Sequence, residues 1–351
     1  MSKKPTGLYI HVPYCVQKCP YCDFYSGKLS RQDEYIHSAV RNIKRYTLEN
    51  KDLIFDTVYF GGGTPSLLPE ISSAVLSEIR LTPSPEITFE CNPETVTAST
   101  FETLLKSGVN RLSFGVQSLS SKELSALGRI HSAEKAKQAI TAAHNAGFSN
   151  ISADIMLGIP CQTKETLIAT IDEFASLPIT HVSAYMLKIE PNTPFGKNPP
   201  SVPDEDEQAE LYLLAVSELE KHGFNQYEIS NFTKTDCESR HNLKYWRCEE
   251  YIGIGPAAHS YYKGKRYAVP RDLGLFIDSE HQCEEFTDVA PDTKEEQIML
   301  GLRLCEGIPL TEELANRLKL IPPHLIRTGN NRLSLTPEGF LVSNEIISLL
   351  I

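Results

Sequence analysis

The feature that most constrains this chain is an alternation. From residue 7 to about residue 190, short apolar strand segments take turns with segments of helical periodicity. Leu8–Val12, Thr57–Phe60, Ile87–Phe89, Arg111–Gln117, Ile151–Met156 and His181–Leu187 read as six strands. Residues 30–48, 69–80, 101–105, 133–146 and 164–176 read as the helices between them. In the first helix Tyr35, Ile36, Ala39, Val40 and Ile43 keep helical spacing, and Gly108 and Gly147 stop two later ones. Strands separated by helices predict a parallel sheet with right-handed crossovers. An open doubly wound sheet and a barrel share that period. What separates them is where the unusual residues fall. A three-cysteine loop, a glycine run, Glu90, Gln117 and Asp154 all stand at or just past strand C-terminal ends. Barrel enzymes carry their sites on that face, so the expected class is α/β, a barrel of six βα units.

The stretch from His11 to Phe24 holds Cys15, Cys19 and Cys22, a C-x3-C-x2-C run. Three thiolates on one short loop can hold three irons of a cubane iron–sulfur cluster. A cluster ligated wholly by protein normally takes four cysteines. Here the position two after Cys22 is Phe24. The fourth iron would stay open for a small ligand, as a catalytic metal keeps an open position. A zinc site usually pairs two such elements, and the chain has no second one. His11 could complete a mononuclear site, but it alternates within an apolar strand as a packed residue would. Three unconnected buried thiols are the bland alternative.

Other stretches carry weaker signals. Gly61-Gly-Gly-Thr-Pro65 follows a strand, where glycines let a ligand approach the backbone. It lacks the spacing of either nucleotide-phosphate loop. Taken singly, Glu90 and Asp154 read as helix caps and Arg129 as a surface cation. Arg240-His-Asn-Leu-Lys-Tyr-Trp246 contains the one tryptophan of the chain. Histidine is a common iron ligand and flat aromatics pack on porphyrins; a histidine among aromatics is by default simply packed.

Composition sets the setting. The apolar fraction of 41% and charged fraction of 23% are those of a globular protein. The net charge of −11 argues against broad nucleic-acid binding. No run of 18 apolar residues predicts a membrane span, and the N-terminus lacks a secretory apolar stretch. Nine scattered cysteines suit a reducing cytoplasm better than a disulfide scaffold. Three regions are expected: a barrel over 1–190, a Pro-rich linker or lid with an extension over 191–292, and a small helical, winged-helix-like unit over 293–351. Asp204-Glu-Asp-Glu207 is expected to open a helix running to about His222.

With Tyr21 before its last cysteine, the C-x3-C-x2-C run resembles the signature of the radical S-adenosylmethionine (SAM) proteins. That resemblance implies a partial (β/α)6 barrel, a [4Fe-4S] cluster on Cys15, Cys19 and Cys22, and SAM on the open iron. One electron from the cluster then cleaves SAM to a 5′-deoxyadenosyl radical. It further implies that Gly62, Gly63 and Thr64 grip the amino group of SAM. Tyr9, Tyr21, Phe24, Glu90, Gln117, Arg129 and Asp154 match the family's remaining contact positions. Leu8–Cys15 and Cys19–Phe24 resemble, more narrowly, the oxygen-independent coproporphyrinogen III oxidases and the related HemW-type heme chaperones. His241-Asn-x-x-Tyr-Trp246 resembles a motif of the chaperone branch linked to heme. It makes His241 the first candidate heme ligand, with Cys237, Cys248 and His259 as competitors. The oxidases carry a fourth cysteine where this chain has Phe24, and a long segment before the first strand. The resemblance therefore implies a cytoplasmic chaperone that binds cluster, SAM and heme. It would pass heme to acceptor apo-proteins, such as a respiratory-chain enzyme, and would draw on an electron donor. The alternatives are the oxidase, which decarboxylates coproporphyrinogen propionates by radical chemistry, and a protein that merely stores a cluster or zinc. Enzymatic turnover stays open.

Overall fold

The computed structural model describes residues 4–288 and 291–351. All six expected strands are present: β1 (Thr6–Val12), β2 (Phe55–Gly62), β3 (Leu81–Cys91), β4 (Arg111–Gln117), β5 (Asn150–Leu157) and β6 (His181–Met186). They lie side by side in chain order, each parallel to the next. A doubly wound sheet reverses its winding partway across. This one never does, so the sheet curls as a barrel wall does, and the α/β barrel expectation holds. β1 and β6 do not pair with each other, so the barrel is partial.

Both open edges are extended. β7 (Asn225–Glu228) and β8 (Asn231–Thr233) form an antiparallel pair, and β8 lies against β6. β9 (Tyr251–Ile254) runs parallel to β1. β10 (His259–Tyr262), β11 (Lys265–Ala268) and β12 (Glu285–Asp288) continue antiparallel beyond it. Among the described residues the result is one sheet of twelve strands.

Parallel strands covered on both faces usually read as continuous apolar runs. These alternate. Val58, Phe60, Phe89, Leu112, Phe114, Ile151 and Val182 join the hydrophobic core. Their neighbours are polar and meet one another across the strands. Tyr59 donates to Glu90 at 2.8 Å, Ser113 reaches Asp154 at 3.5 Å, and Ser152 pairs with His181 Nδ1 at 2.7 Å. The barrel therefore has an apolar outside and a hydrogen-bonded polar interior, which suits a lumen that receives a polar ligand.

Thr97, Ser120, Ser132, Thr163 and Asp204 each cap a helix by accepting a backbone N–H with the side chain. Each such cap is worth about 1 kcal/mol. Asp204 and Glu207 form a reciprocal capping box on Glu205–Lys221, so the acidic run does open that helix. The helix Ser121–Ala126 has no counterpart in the sequence reading. Six residues are too few to show a period.

The stretch over 191–203 contains the short helix Pro194–Lys197. Phe195 N–H donates to Pro20 O at 3.0 Å, and its ring sits 6.3 Å from Tyr21. With Leu127, Met156, Ile159 and Leu187 it makes a second small core beside the barrel mouth. After β12 the chain forms helix Lys294–Gly301, β13 (Ile308–Pro309), helix Glu312–Arg317, β14 (Ile326–Gly329), β15 (Arg332–Leu335) and helices Pro337–Leu341 and Ser343–Leu350, and the three strands make one antiparallel sheet. This small helix-and-strand unit fits the winged-helix-like expectation, with two strands that residues 305–332 had not revealed. Among the described residues no helix is long and apolar enough to cross a membrane.

Candidate functional site

The cysteine loop hangs from the C-terminal end of β1. Cys15 N–H donates to Gly27 O at 2.8 Å, and Gly27 N–H donates back to Pro13 O at 2.9 Å. Tyr35 from the following helix holds His11 O at 2.6 Å, and Tyr14 holds Ser30 O at 2.8 Å. These bonds close the loop at its base and leave Cys15, Cys19 and Cys22 partly exposed at the barrel mouth.

One cavity collects nearly all the predicted residues. Cys15, Cys19, Cys22, Tyr21, Phe24, Gly62, Gly63, Thr64, Glu90, Gln117, Arg129 and Asp154 line it together. They come from the ends of β1 to β5 and from the turn after the helix Ser121–Ala126, residues up to 139 positions apart in sequence. Two of the cysteines are tied to one another through side chains. Arg129 Nη1 lies 3.3 Å from Cys19 Sγ, and Arg129 Nη2 donates to Asn92 Oδ1 at 3.1 Å and Gly115 O at 2.7 Å. Asn92 Nδ2 donates to Thr64 Oγ1 at 3.1 Å, and Thr64 Oγ1 donates toward Cys15 Sγ at 3.4 Å. Sequence reasoning missed Asn92, although it stands two residues after Glu90 at the end of β3. It also missed Tyr185, whose hydroxyl donates to Gln117 Oε1 at 2.8 Å.

The donor set discriminates between metals. Among the described residues no three His, Cys, Asp or Glu side chains converge on one ion. A structural zinc needs such a set. A cubane does not, because each thiolate holds a different iron. The guanidinium of Arg129, whose buried Nε has no hydrogen-bond partner among the described residues, supplies positive charge beside the thiols. The residues present fit a three-cysteine cluster.

Two carboxyls sit at the cavity wall. Burial pushes Glu90 up from 4.5 to about 7, against the donated bonds of Tyr59 and Gly62 N–H. Burial likewise pushes Asp154 up from 3.8 to about 6. The charges of Arg111 on both carboxyls and of Arg129 on Asp154 offset this burial only in part. A cationic ligand would add to that offset.

Two predicted residues lie outside this cavity. Tyr9 stands on β1 with its hydroxyl 3.1 Å from His11 Nδ1. Its ring and Glu90 Oε1 both come within 3.1 Å of where a side chain on Gly61 would begin. His241 is fully buried deeper in the barrel, on the helix Arg240–Trp246. Its Nδ1 meets Thr57 Oγ1 and its Nε2 meets Tyr245 Oη, both at 2.8 Å. Its ring packs 5.3 Å from Tyr59 and edge-on to Tyr245 at 5.2 Å. Burial, then Lys244, lowers its pKa to about 3, so the ring is neutral. Both ring nitrogens of His241 are thus engaged within the fold, and neither is open to an iron in this structure. His241→Ala is expected to cost about 3 kcal/mol in urea unfolding, from the lost ring and two orphaned hydroxyls. Wild-type stability in that variant would contradict a packing role.

The glycines also have a second reason. A Cβ on Gly62 would stand 2.7 Å from the His11 ring, and one on Gly63 would stand 2.5 Å from Tyr14 O. These positions are glycine because β1 and the cysteine loop pass directly over them, as well as because they line the cavity.

Comparison with known proteins bears on the family and the fold. The profile described as the Radical SAM superfamily matches residues 9–174. The heme chaperone HemW of Escherichia coli K12 is 37% identical over 89% of this chain and 86% of its own length. HemW of Bacillus subtilis 168 is 33% identical over 97% of each chain. In fold, the chain superposes on coproporphyrinogen III oxidase (HemN) from Escherichia coli, described as a radical SAM enzyme, with a TM-score of 0.82 at 18% identity, covering 100% of this chain and 91% of that one. A three-thiol loop over a partial barrel, a radical SAM profile over residues 9–174 and relatives alike along nearly their whole length lead to one assignment: this chain belongs to the family of the HemW heme chaperones.

Proposed function

We propose that the protein is a heme chaperone that carries a [4Fe-4S] cluster, binds SAM and heme, and delivers heme to acceptor proteins. The observation that carries the reading is one cavity that joins three thiols, Arg129 and two carboxyls of raised proton affinity. SAM has an ammonium and a sulfonium, positive charge that would favour the ionised form of Glu90. Cys15, Cys19 and Cys22 would hold the cluster, which supplies one-electron chemistry and an open iron when bound. Thr64, Asn92 and Arg129 would steady Cys15 and Cys19 and offset thiolate charge. Gly62, Gly63 and Thr64 would offer backbone groups to the methionine end, with Gln117 and Asp154 toward the ribose. Tyr21 and Phe24 would flank the ligand, and Tyr9 would approach it from β1 beside Glu90.

Heme binding rests on the likeness to curated HemW chaperones across nearly the whole chain. Phe24, where a fourth loop cysteine would mark the oxidases, favours the chaperone over that rival. The acceptor would be an apo-protein and the electron donor a separate reductant. We also propose a cytoplasmic location, and the division into 1–190, 191–292 and 293–351.

Anaerobic reconstitution should load about four iron and four sulfide per chain. Zinc alone would remove the cluster. Hemin titration should move the Soret band, and its absence defeats the chaperone reading. Reduced protein with SAM and coproporphyrinogen III should yield no protoporphyrinogen; product formation would restore the oxidase.

A further inference from the structure

A second cavity, of about 570 Å³, opens on the other side of the cysteine loop. Its size is that of a small-cofactor site. It lies between β1, the loop exit at Asp23–Tyr25, and the added strands β9 to β11. The two cavities share one residue, Phe24, which is 68% exposed, a large apolar ring that the fold leaves uncovered. Tyr9, Tyr25, Tyr245 and Tyr251 give the second cavity aromatic walls.

Two imidazoles line it, and they differ. His11 is committed: its Nε2–H donates to Tyr25 O at 2.8 Å, and its Nδ1 lies 3.1 Å from the Tyr9 hydroxyl. His259, the first residue of β10, is exposed, and its ring makes no hydrogen bond among the described residues. At the rim stands Arg271, exposed and paired to Asp23 at 3.2 Å. A flat aromatic slot, an unengaged imidazole and a guanidinium at the rim match a ferric porphyrin with acidic side chains.

We propose that this cavity is the heme seat, with His259 as the axial ligand through a ring nitrogen and Arg271 pairing a propionate. The proposal rests on the heme-binding reading above and replaces His241 with a histidine that a ligand can reach. It also sets heme beside the SAM cavity with Phe24 between them. Burial, then the charge of Arg266, lowers the pKa of His259, which keeps the ring unprotonated and able to bind metal near neutral pH.

The test is hemin titration of the cluster-loaded full chain, followed by absorption and electron paramagnetic resonance. Wild type should bind hemin with a histidine-ligated spectrum. His259→Ala should lose that spectrum, bind at least about tenfold more weakly and regain the spectrum with added imidazole, while its cluster signal stays unchanged. Ala268→Trp, which fills the cavity from the strand position opposite His259, should abolish binding. Should wild type bind no hemin, the chaperone reading itself fails. If wild type binds and His259→Ala keeps both affinity and spectrum, heme sits elsewhere and only this proposal falls. If His259→Ala misfolds, Ala268→Trp decides: unchanged binding there overturns the site.

Discussion

Gly63→Ala is expected to unseat the cysteine loop and cut iron loading to less than about half of wild type. The added methyl would begin 2.5 Å from Tyr14 O and 2.9 Å from both Tyr14 N and Val12 O. Backbone cannot swing aside as a side-chain tip can. It is also pinned at this point, since Gly63 N–H donates to Val12 O at 2.8 Å and Thr64 N–H to Tyr14 O at 2.6 Å. Relief requires breaking those bonds and moving Tyr14 with its neighbour Cys15. Overpacking of this kind costs about 3 kcal/mol. Gly27 is the matched control, because a Cβ there meets nothing within 4 Å although it belongs to the same loop. Iron and sulfide assays with urea unfolding compare the two variants. Normal loading of Gly63→Ala would show that the loop tolerates displacement.

Glu90→Gln should separate stability from ligand affinity. The carboxyl rises from 4.5 in the unfolded chain to about 7 in the fold, by burial first. A group raised on folding adds stability that is complete below the unfolded value and is lost as pH climbs through the folded one. Without SAM, wild type should therefore weaken between pH 4.5 and about 7, and Asp154, raised from 3.8 to about 6, adds to the same trend. The full conversion for Glu90 is about 3 kcal/mol, and cavity water reduces it to about 2 kcal/mol. Glu90→Gln should accordingly be about 2 kcal/mol more stable at pH 8 and similar at pH 5. SAM should reverse the order. A cation beside Glu90 favours the carboxylate, so wild-type affinity should rise from pH 6 to pH 8. The Gln variant should bind SAM at least about tenfold more weakly with little pH dependence. Calorimetric titration at both pH values reads this. Equal SAM affinity in the two proteins would take Glu90 out of the site.

Much of the fold was legible because its signals are local. The six strand segments, the stop at Gly108 and the cap at Asp204 each depend on a few consecutive residues. The three thiols were legible for the same reason, since their spacing alone limits what they can bind. The polar-in, apolar-out alternation of β2 to β6 also stood in the sequence, but its meaning did not. A polar residue beside Val58 or Leu112 becomes lumen or solvent face according to how the sheet curls.

The sequence by itself determined the α/β order and the three-cysteine spacing of the loop, because period and spacing are properties of the chain. Only the tertiary structure decided which side chains meet. Neighbouring strands fix register to a single residue, and one step reverses every side chain. That register sets Asn92 between Thr64 and Arg129, Tyr185 on Gln117, and a strand across Gly62. It also folds His241 inside the barrel wall while leaving His259 at a cavity rim, a distinction no local pattern of aromatic and histidine residues can encode.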